Sequence, residues 1–254
     1  TFGALARMLA APGAAETLLM RNFTLIDGTG APAKPQSAMI VTDGRIIWVG
    51  AAGDARAPDG AQIVDLSGKY VMPGIIDLHI HLGNLHELTQ DQKYYTRDNV
   101  EKDLRTYASY GVTTVQIMGT DKDVIFDIRR EQRAGRPAMA RVYTAGQGLV
   151  LKGGYGGVPG VNHPVATPAE AAAEVDAQAA KGADFIKLWV DDELHTMPEM
   201  AADMSKAIID AAHRHGLKAY AHVFYLDDAK RLTAQGVDGF VHTVRDQPVD
   251  QALI

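Results

Sequence analysis

Cysteine is missing from all 254 residues, which rules out thiolate catalysis, cysteine-ligated zinc and structural disulfides. Any metal must then sit on histidine, carboxylate or something less usual, although the absence fixes no compartment. An excess of positive charge is missing too. The formal net charge is -6 and the pI about 5.8, and no run of Lys and Arg offsets this, so a nucleic-acid surface is not expected and small or neutral partners are. No stretch approaches the roughly 20 apolar residues that cross a bilayer, so no membrane partner is expected. What the chain does have is 46% hydrophobic residues, ample for a core in one large domain or a domain and a half.

The opening TFGALARMLAAPGAAE ends in Gly13-Ala14-Ala15. It reads either as the tail of a secretory signal, which would place the protein in the periplasm or outside the cell, or as a plain N-terminal helix of a cytoplasmic protein. Residues 17–72 then carry short β-branched and aliphatic runs broken by Asp-Gly and Ser-Gly pairs. Asp43-Gly44, between AMIVT and RIIWVG, is a strong hairpin signal. This segment predicts a small antiparallel, β-sandwich-like domain, with a loop over 31–36.

After Pro73-Gly74 the rhythm changes to strand, helix, strand, helix. IIDLHI, VTTVQIM, ARVYTAG, DFIKLWV, KAYAHV and GFVHT read as strands, with helices near 99–110, 122–134, 168–181, 199–215 and 227–235 between them and a glycine-rich loop over 146–164. Regular alternation predicts an α/β fold with parallel strands and right-handed crossovers, and polar residues on inner strand faces favour a closed (β/α)8 TIM barrel. About six of the eight units are counted, so residues 73–254 are expected to be an incomplete barrel, part of a longer chain.

Alternation along these strands selects the candidate chemistry. In DLHIHLG, Asp77, His79 and His81 share one face at the C-terminal end of the first strand, where two imidazoles can chelate one divalent ion. The alternative is two unrelated histidines, one in the core and one in the loop. In DFIKLWV, Lys187 shares the inward face with Phe185 and Trp189, where desolvation drives an amine towards its neutral form; the alternative is a lysine paired with a carboxylate at the barrel mouth. His222 in KAYAHV and His242 in GFVHT also face inward, each of them alone readable as a hydrogen-bonded core histidine. His213 and His215 repeat the HxH string at a helix end, where i and i+2 share no face, and receive no metal. His86, His163 and His195 fall in loops.

The order HxH, Lys, His, His over DLHIHLG, FIKLWV, AYAHV and FVHT, with PGIIDLHIHLG and GVDGFVHT as its most specific pieces, resembles the amidohydrolase superfamily. It resembles the binuclear metal branch, and within it the group related to imidazolonepropionase and prolidase. The resemblance implies that His79 and His81 hold one divalent ion and His222 and His242 a second, zinc being the expected metal. It also implies that Lys187 takes up carbon dioxide to become a bridging carbamate. A hydroxide between the metals would then attack an amide or peptide-type C–N bond in a small molecule such as a dipeptide or N-acyl amino acid. The family's general base is an Asp at the end of strand eight, expected beyond residue 254. Asp77 is a candidate to orient a ligand imidazole, the alternative being a buried carboxylate hydrogen-bonded to backbone, and Tyr155, His163 and Tyr225 are candidate substrate contacts. Esters, lactones and organophosphates are alternative substrates for the same centre, and a non-catalytic relative is the other alternative. A homo-oligomer is left open.

Overall fold

The computed structural model describes residues 17–135 and 138–254, so the two readings of residues 1–16 lie outside the described residues. The chain divides into two compact units, the first ending at Gly74 and the second spanning Ile75–Ile254.

In the first unit, β1 (Thr17–Leu25), β2 (Lys34–Thr42) and β3 (Arg45–Ala51) form an antiparallel meander. Asp43 and Gly44 both take positive φ, 51° and 75°, the left-handed pair that a tight two-residue hairpin needs. The expected all-antiparallel, sandwich-like arrangement is corrected by the next two strands. β4 (Gln62–Asp65) and β5 (Tyr70–Val71) both run parallel to β1 along its second edge, giving one mixed five-stranded sheet. β1 is long enough to pair with both in turn, and non-local edge pairing of this kind leaves no periodic trace in sequence. Leu19, Ala38 and Ile40 make its small core.

The second unit begins with β6 (Ile75–Ile80), followed by a small hairpin of β7 (Leu85–His86) and β8 (Thr89–Gln90). Then come α1 (Arg97–Ser109), β9 (Val112–Ile117), α2 (Val124–Ala134), β10 (Arg141–Thr144), β11 (Leu149–Leu151) and β12 (His163–Val165). α3 (Pro168–Lys181), β13 (Ile186–Val190), α4 (Ala202–Arg214), β14 (Ala219–Val223), α5 (Leu226–Gln235) and β15 (Gly239–Phe240) complete it. α3 shows how locally these boundaries are written: Thr167 caps the amide of Glu170, Pro168 occupies the first turn, and Gly182 ends the helix at φ 91°.

All strand pairs of this unit apart from the small hairpin are parallel, in two sheets of order β10-β9-β6 and β12-β11-β13-β14-β15. A closed ring of paired strands is not seen among the described residues. The Gly148 amide donating to the Gly119 carbonyl at 2.8 Å, with a bridge between Thr120 and Gln147, ties one sheet to the other. The stretch 146–164, expected as a loop, holds β11 and the first two residues of β12, because the short apolar run Leu149-Val150-Leu151 is hidden among glycines. One core cluster packs β13 and β14 against α3, α4 and α5, and another packs β9 against α1 and α2. Every residue of β13 is buried, as a strand covered on both faces requires. Among the described residues no helix is long and apolar enough to cross a membrane.

Candidate metal centre

β6 ends at Ile80, so His79 stands on the strand and His81 at the start of the loop. Their Nε2 atoms face each other at 3.3 Å. His79 Nδ1 lies 3.0 Å from the Val241 carbonyl oxygen; a carbonyl only accepts, so Nδ1 carries the proton and Nε2 presents a bare lone pair. His81 Nδ1 is held by Thr120 Oγ1 at 2.7 Å, which aims its Nε2 at the same point. Burial, followed by the nearby Lys187, lowers the pKa of both rings, that of His81 to about 3. Two nitrogens bound to one tetrahedral zinc at about 2.0–2.1 Å would stand roughly 3.3–3.4 Å apart. The observed separation fits a chelating pair.

Asp77, a candidate to orient a ligand ring, instead accepts the backbone amide of His79 at 3.1 Å. The ring is held by the Val241 carbonyl. Asp77 therefore fixes the main chain, because a side chain two residues back reaches the amide more readily than the imidazole above it.

Lys187 is the second residue of β13, with 1% of its surface exposed, and its Nζ is buried with no hydrogen-bond partner. Burial pushes its pKa well below the usual lysine range, which favours the neutral amine with its free lone pair. It stands 4.3 Å from the centre of the Trp189 ring. Two glycines make room for these side chains. A Cβ at Gly119 would come within 2.9 Å of Lys187 Cγ, and one at Gly148 within 2.4 Å of the Trp189 ring. Gly119 also sits at φ 84°, a conformation other residues rarely adopt.

His222, near the end of β14, donates from Nε2 to Asp191 Oδ2 at 2.6 Å, both side chains being 6% exposed. That leaves Nδ1 as the free ring nitrogen. His242, two residues past β15, lies between the other rings, with centroids 4.6 Å from His79 and 4.4 Å from His222. Burial lowers His222 to about 4, against the pull of Asp191, and lowers His242 to about 3. Four neutral imidazoles and one neutral amine thus converge. Among the described residues no three His, Cys, Asp or Glu side chains form a metal-holding group by themselves. The donors come as two histidine pairs beside the orphaned Lys187 nitrogen.

A cavity of about 450 Å³ opens beside them, lined among others by His81, Thr120, Tyr155, Trp189, Asp191 and Arg245. Of the candidate substrate contacts, Tyr155 lines this cavity, its ring 5.4 Å from His222. The other two are turned elsewhere: His163 pairs with Glu174 at 3.3 Å, and the Tyr225 hydroxyl donates to Asp192 at 2.8 Å. His163 belongs to β12, whose register points it at α3, and Tyr225 is the residue before α5. His213 and His215 pair with Asp238 and Asp176, and His195 with Asp192. The cavity rim is a turn in which Glu193, Leu194 and His195 have φ of 49°, 57° and 66°. Asp191 and Asp192 hold this left-handed run through the amides of Glu193 and His195, the kind of local strain that functional sites retain.

Sequence reasoning missed Asp191, Thr120 and Arg245. Asp191 directly follows the end of β13, two residues after the inward-facing Trp189, a position that could have signalled it; Arg245, five residues past β15, carried no such signal. Thr120 had no signal, because its contact with His81 depends on how two loops meet.

The amidohydrolase family model matches residues 70–252. A dihydroorotase of Pelotomaculum thermopropionicum is 27% identical over 232 residues, 89% of this chain and 46% of that protein. An imidazolonepropionase of Aromatoleum aromaticum is 32% identical over 151 residues, 56% of this chain and 35% of that protein. Among solved structures, a Xaa-Pro dipeptidase with methionine bound in its active site is similar with a TM-score of 0.73 at 22% identity, covering 89% of this chain and 61% of that one. The likeness shows a TIM-barrel-like α/β fold. The chain spans about half the length of the curated relatives it matches.

Proposed function

The chain belongs to the amidohydrolase family, and on that premise we propose that it works as a metal-dependent hydrolase of amide C–N bonds, acting on dipeptides or N-acyl amino acids. We read residues 17–72 as a small β domain and 73–254 as about six units of a (β/α)8 barrel. His79 with His81, and His222 with His242, would hold two divalent ions, zinc being the metal best suited to a set of imidazoles and one carboxylate. The carboxylate would come from Lys187, whose neutral nitrogen forms a bond to carbon dioxide and releases a proton to give a carbamate. When bound, the ions supply Lewis acidity to a scissile carbonyl and lower the pKa of water at the centre.

The chain's own residues do the rest. Asp191 holds the His222 ring by Nε2 and leaves Nδ1 free for a metal, as Thr120 and the Val241 carbonyl leave the Nε2 atoms of His81 and His79. Trp189 and β13 keep water away from Lys187. The observation that carries this reading is the fully buried, unpartnered amine of Lys187 among four neutral imidazoles. An isolated buried amine is costly and finds no compensation in the protein itself.

The test is metal analysis of the full-length protein grown with zinc, combined with carbon-13 NMR after exchange into labelled bicarbonate and a hydrolysis screen over dipeptides, N-acyl amino acids, esters and lactones. Two metals per chain, a carbamate resonance lost in Lys187→Ala, and turnover of amides over esters are expected. A single metal with no carbamate resonance would overturn the binuclear reading, and preference for esters or lactones would overturn the amide assignment.

A further inference from the structure

Among the described residues, Arg245 is the one lysine or arginine lining the cavity beside the four histidines. Its backbone amide donates to the Phe224 carbonyl at 2.9 Å, and its guanidinium lies over the Phe224 ring, 4.6 Å from the centroid. Stacking on an aromatic face holds the planar fork in one attitude without using any of its N–H donors. Those donors meet no carboxylate or carbonyl of the protein among the described residues. Most cationic side chains elsewhere in this unit do meet one: Arg129 and Arg133 converge on Asp184, and Arg231 on Asp228.

The absence of a partner is informative because carboxylates are at hand. Asp191 and Glu193 line the same cavity. Asp191 is taken by His222, and Glu193, carried on the left-handed rim, makes no ion pair with Arg245. A stacked guanidinium held apart from two acids in one cleft is set up to receive an anion from outside. Its fork matches a planar carboxylate. The two protein acids disfavour a more highly charged anion such as a phosphate in the same space. Val158, Leu194, Phe224 and Trp189 give the remaining wall an apolar character suited to an aliphatic or aromatic side chain.

We infer that Arg245 binds the carboxylate of the substrate, and that the cavity selects amides carrying a free carboxylate and an apolar side chain. This rests on the hydrolase reading above for the bond that is cut, but not for the binding itself.

The probes are the N-acetyl derivatives of leucine, methionine, phenylalanine and proline, each as the free acid and as the primary amide. Binding to the full-length protein is read from the fluorescence of Trp189 in a background where every other tryptophan, Trp48 among them, is replaced by phenylalanine. At least one acid should bind about 10- to 100-fold more tightly than its amide, the range for a charge-assisted pair. Arg245→Met, which keeps an apolar stem over Phe224, should remove that preference while leaving amide binding within about twofold, and Arg245→Lys should restore only part of it. Equal binding of acids and amides by the wild type, a preference that survives Arg245→Met, or no binding of either series would overturn the assignment. Acid selectivity without any hydrolysis would leave Arg245 in place and remove the hydrolase reading. Metal-dependent hydrolysis of acids and amides alike would do the reverse.

Discussion

His222 Nε2 and Asp191 Oδ2 are joined by a 2.6 Å hydrogen bond in which both partners are almost fully buried. The carboxylate accepts, so the imidazole is fixed as the tautomer with its proton on Nε2, and Nδ1 keeps its lone pair. Asp191→Ala removes that anchor without touching the nitrogen proposed to bind metal. Loss of such an outer partner typically costs about 10- to 100-fold in metal affinity. Chelator competition followed by metal analysis should show this drop, with circular dichroism unchanged. Wild-type affinity in a folded variant would show that Asp191 plays no part in holding the centre.

Lys187 sets up a conflict between stability and function. In the metal-free protein its amine is a buried polar atom without a partner, a situation worth about 1–3 kcal/mol of destabilisation. Lys187→Met keeps most of the volume and removes the orphan. The metal-free variant should therefore melt higher than metal-free wild type, while binding less metal and losing most activity. Lys187→Ala should lose metal as well, and partial recovery with a short carboxylic acid would mark the missing group as a carboxylate. A variant that melts lower than wild type yet keeps its full metal content would contradict both halves.

What could be read in the chain and what could not separates along the range of the interactions. Alternation along single strands put Lys187 and His222 on the same faces as their neighbours at i±2, and strand geometry is local enough for that reasoning to work. The helix ends at Thr167 and Gly182 were equally local. The parallel placement of β4 and β5 on β1 was not legible, because edge pairing is decided by chain segments some 40 residues apart. Nor was β11, whose three apolar residues sit between glycine-rich turns. Asp77 could be read as serving a ring or the backbone and serves an amide, and His163 and Tyr225 are drawn to Glu174 and Asp192 by contacts between elements. Arg245 reads in sequence as an ordinary solvated charge. Its stacking on Phe224 is visible only once β14 and the segment after β15 are side by side.

Gly148 gives a prediction that rests on space alone. A Cβ there would lie 2.4 Å from the Trp189 ring and 3.1 Å from the Gly119 Cα, so a rigid ring and a backbone segment must both give way. Gly148→Ala should lower stability by about 1–3 kcal/mol, the usual cost of overpacking, and shift the Trp189 emission as the indole moves. Gly153→Ala is the control: it also takes a glycine from this segment, at a positive φ but with open space around its Cβ. It should cost only backbone strain and leave the Trp189 spectrum alone. Equal spectral changes in the two variants would show that Trp189 is not packed against Gly148.

Asp121 gives the pH prediction. It is fully buried and accepts hydrogen bonds from the hydroxyls of Tyr95 and Thr144, each at 2.5 Å. Burial outweighs these two donors and raises its pKa from 3.8 to about 7. A carboxyl group whose pKa is higher in the folded protein contributes stability that is complete below its unfolded value. That contribution is lost as pH rises through the folded value, because the unfolded chain then sheds the proton more readily. The window is therefore about pH 4 to 7, with no further change from this group above it. Asp121→Asn cannot ionise, so the difference in unfolding free energy between variant and wild type should move in the variant's favour by about 2–3 kcal/mol between pH 5 and pH 8. Denaturant unfolding at several pH values gives that difference directly. A difference that stays flat across the range would mean that the Tyr95 and Thr144 hydroxyls stabilise the carboxylate fully, leaving Asp121 ionised throughout.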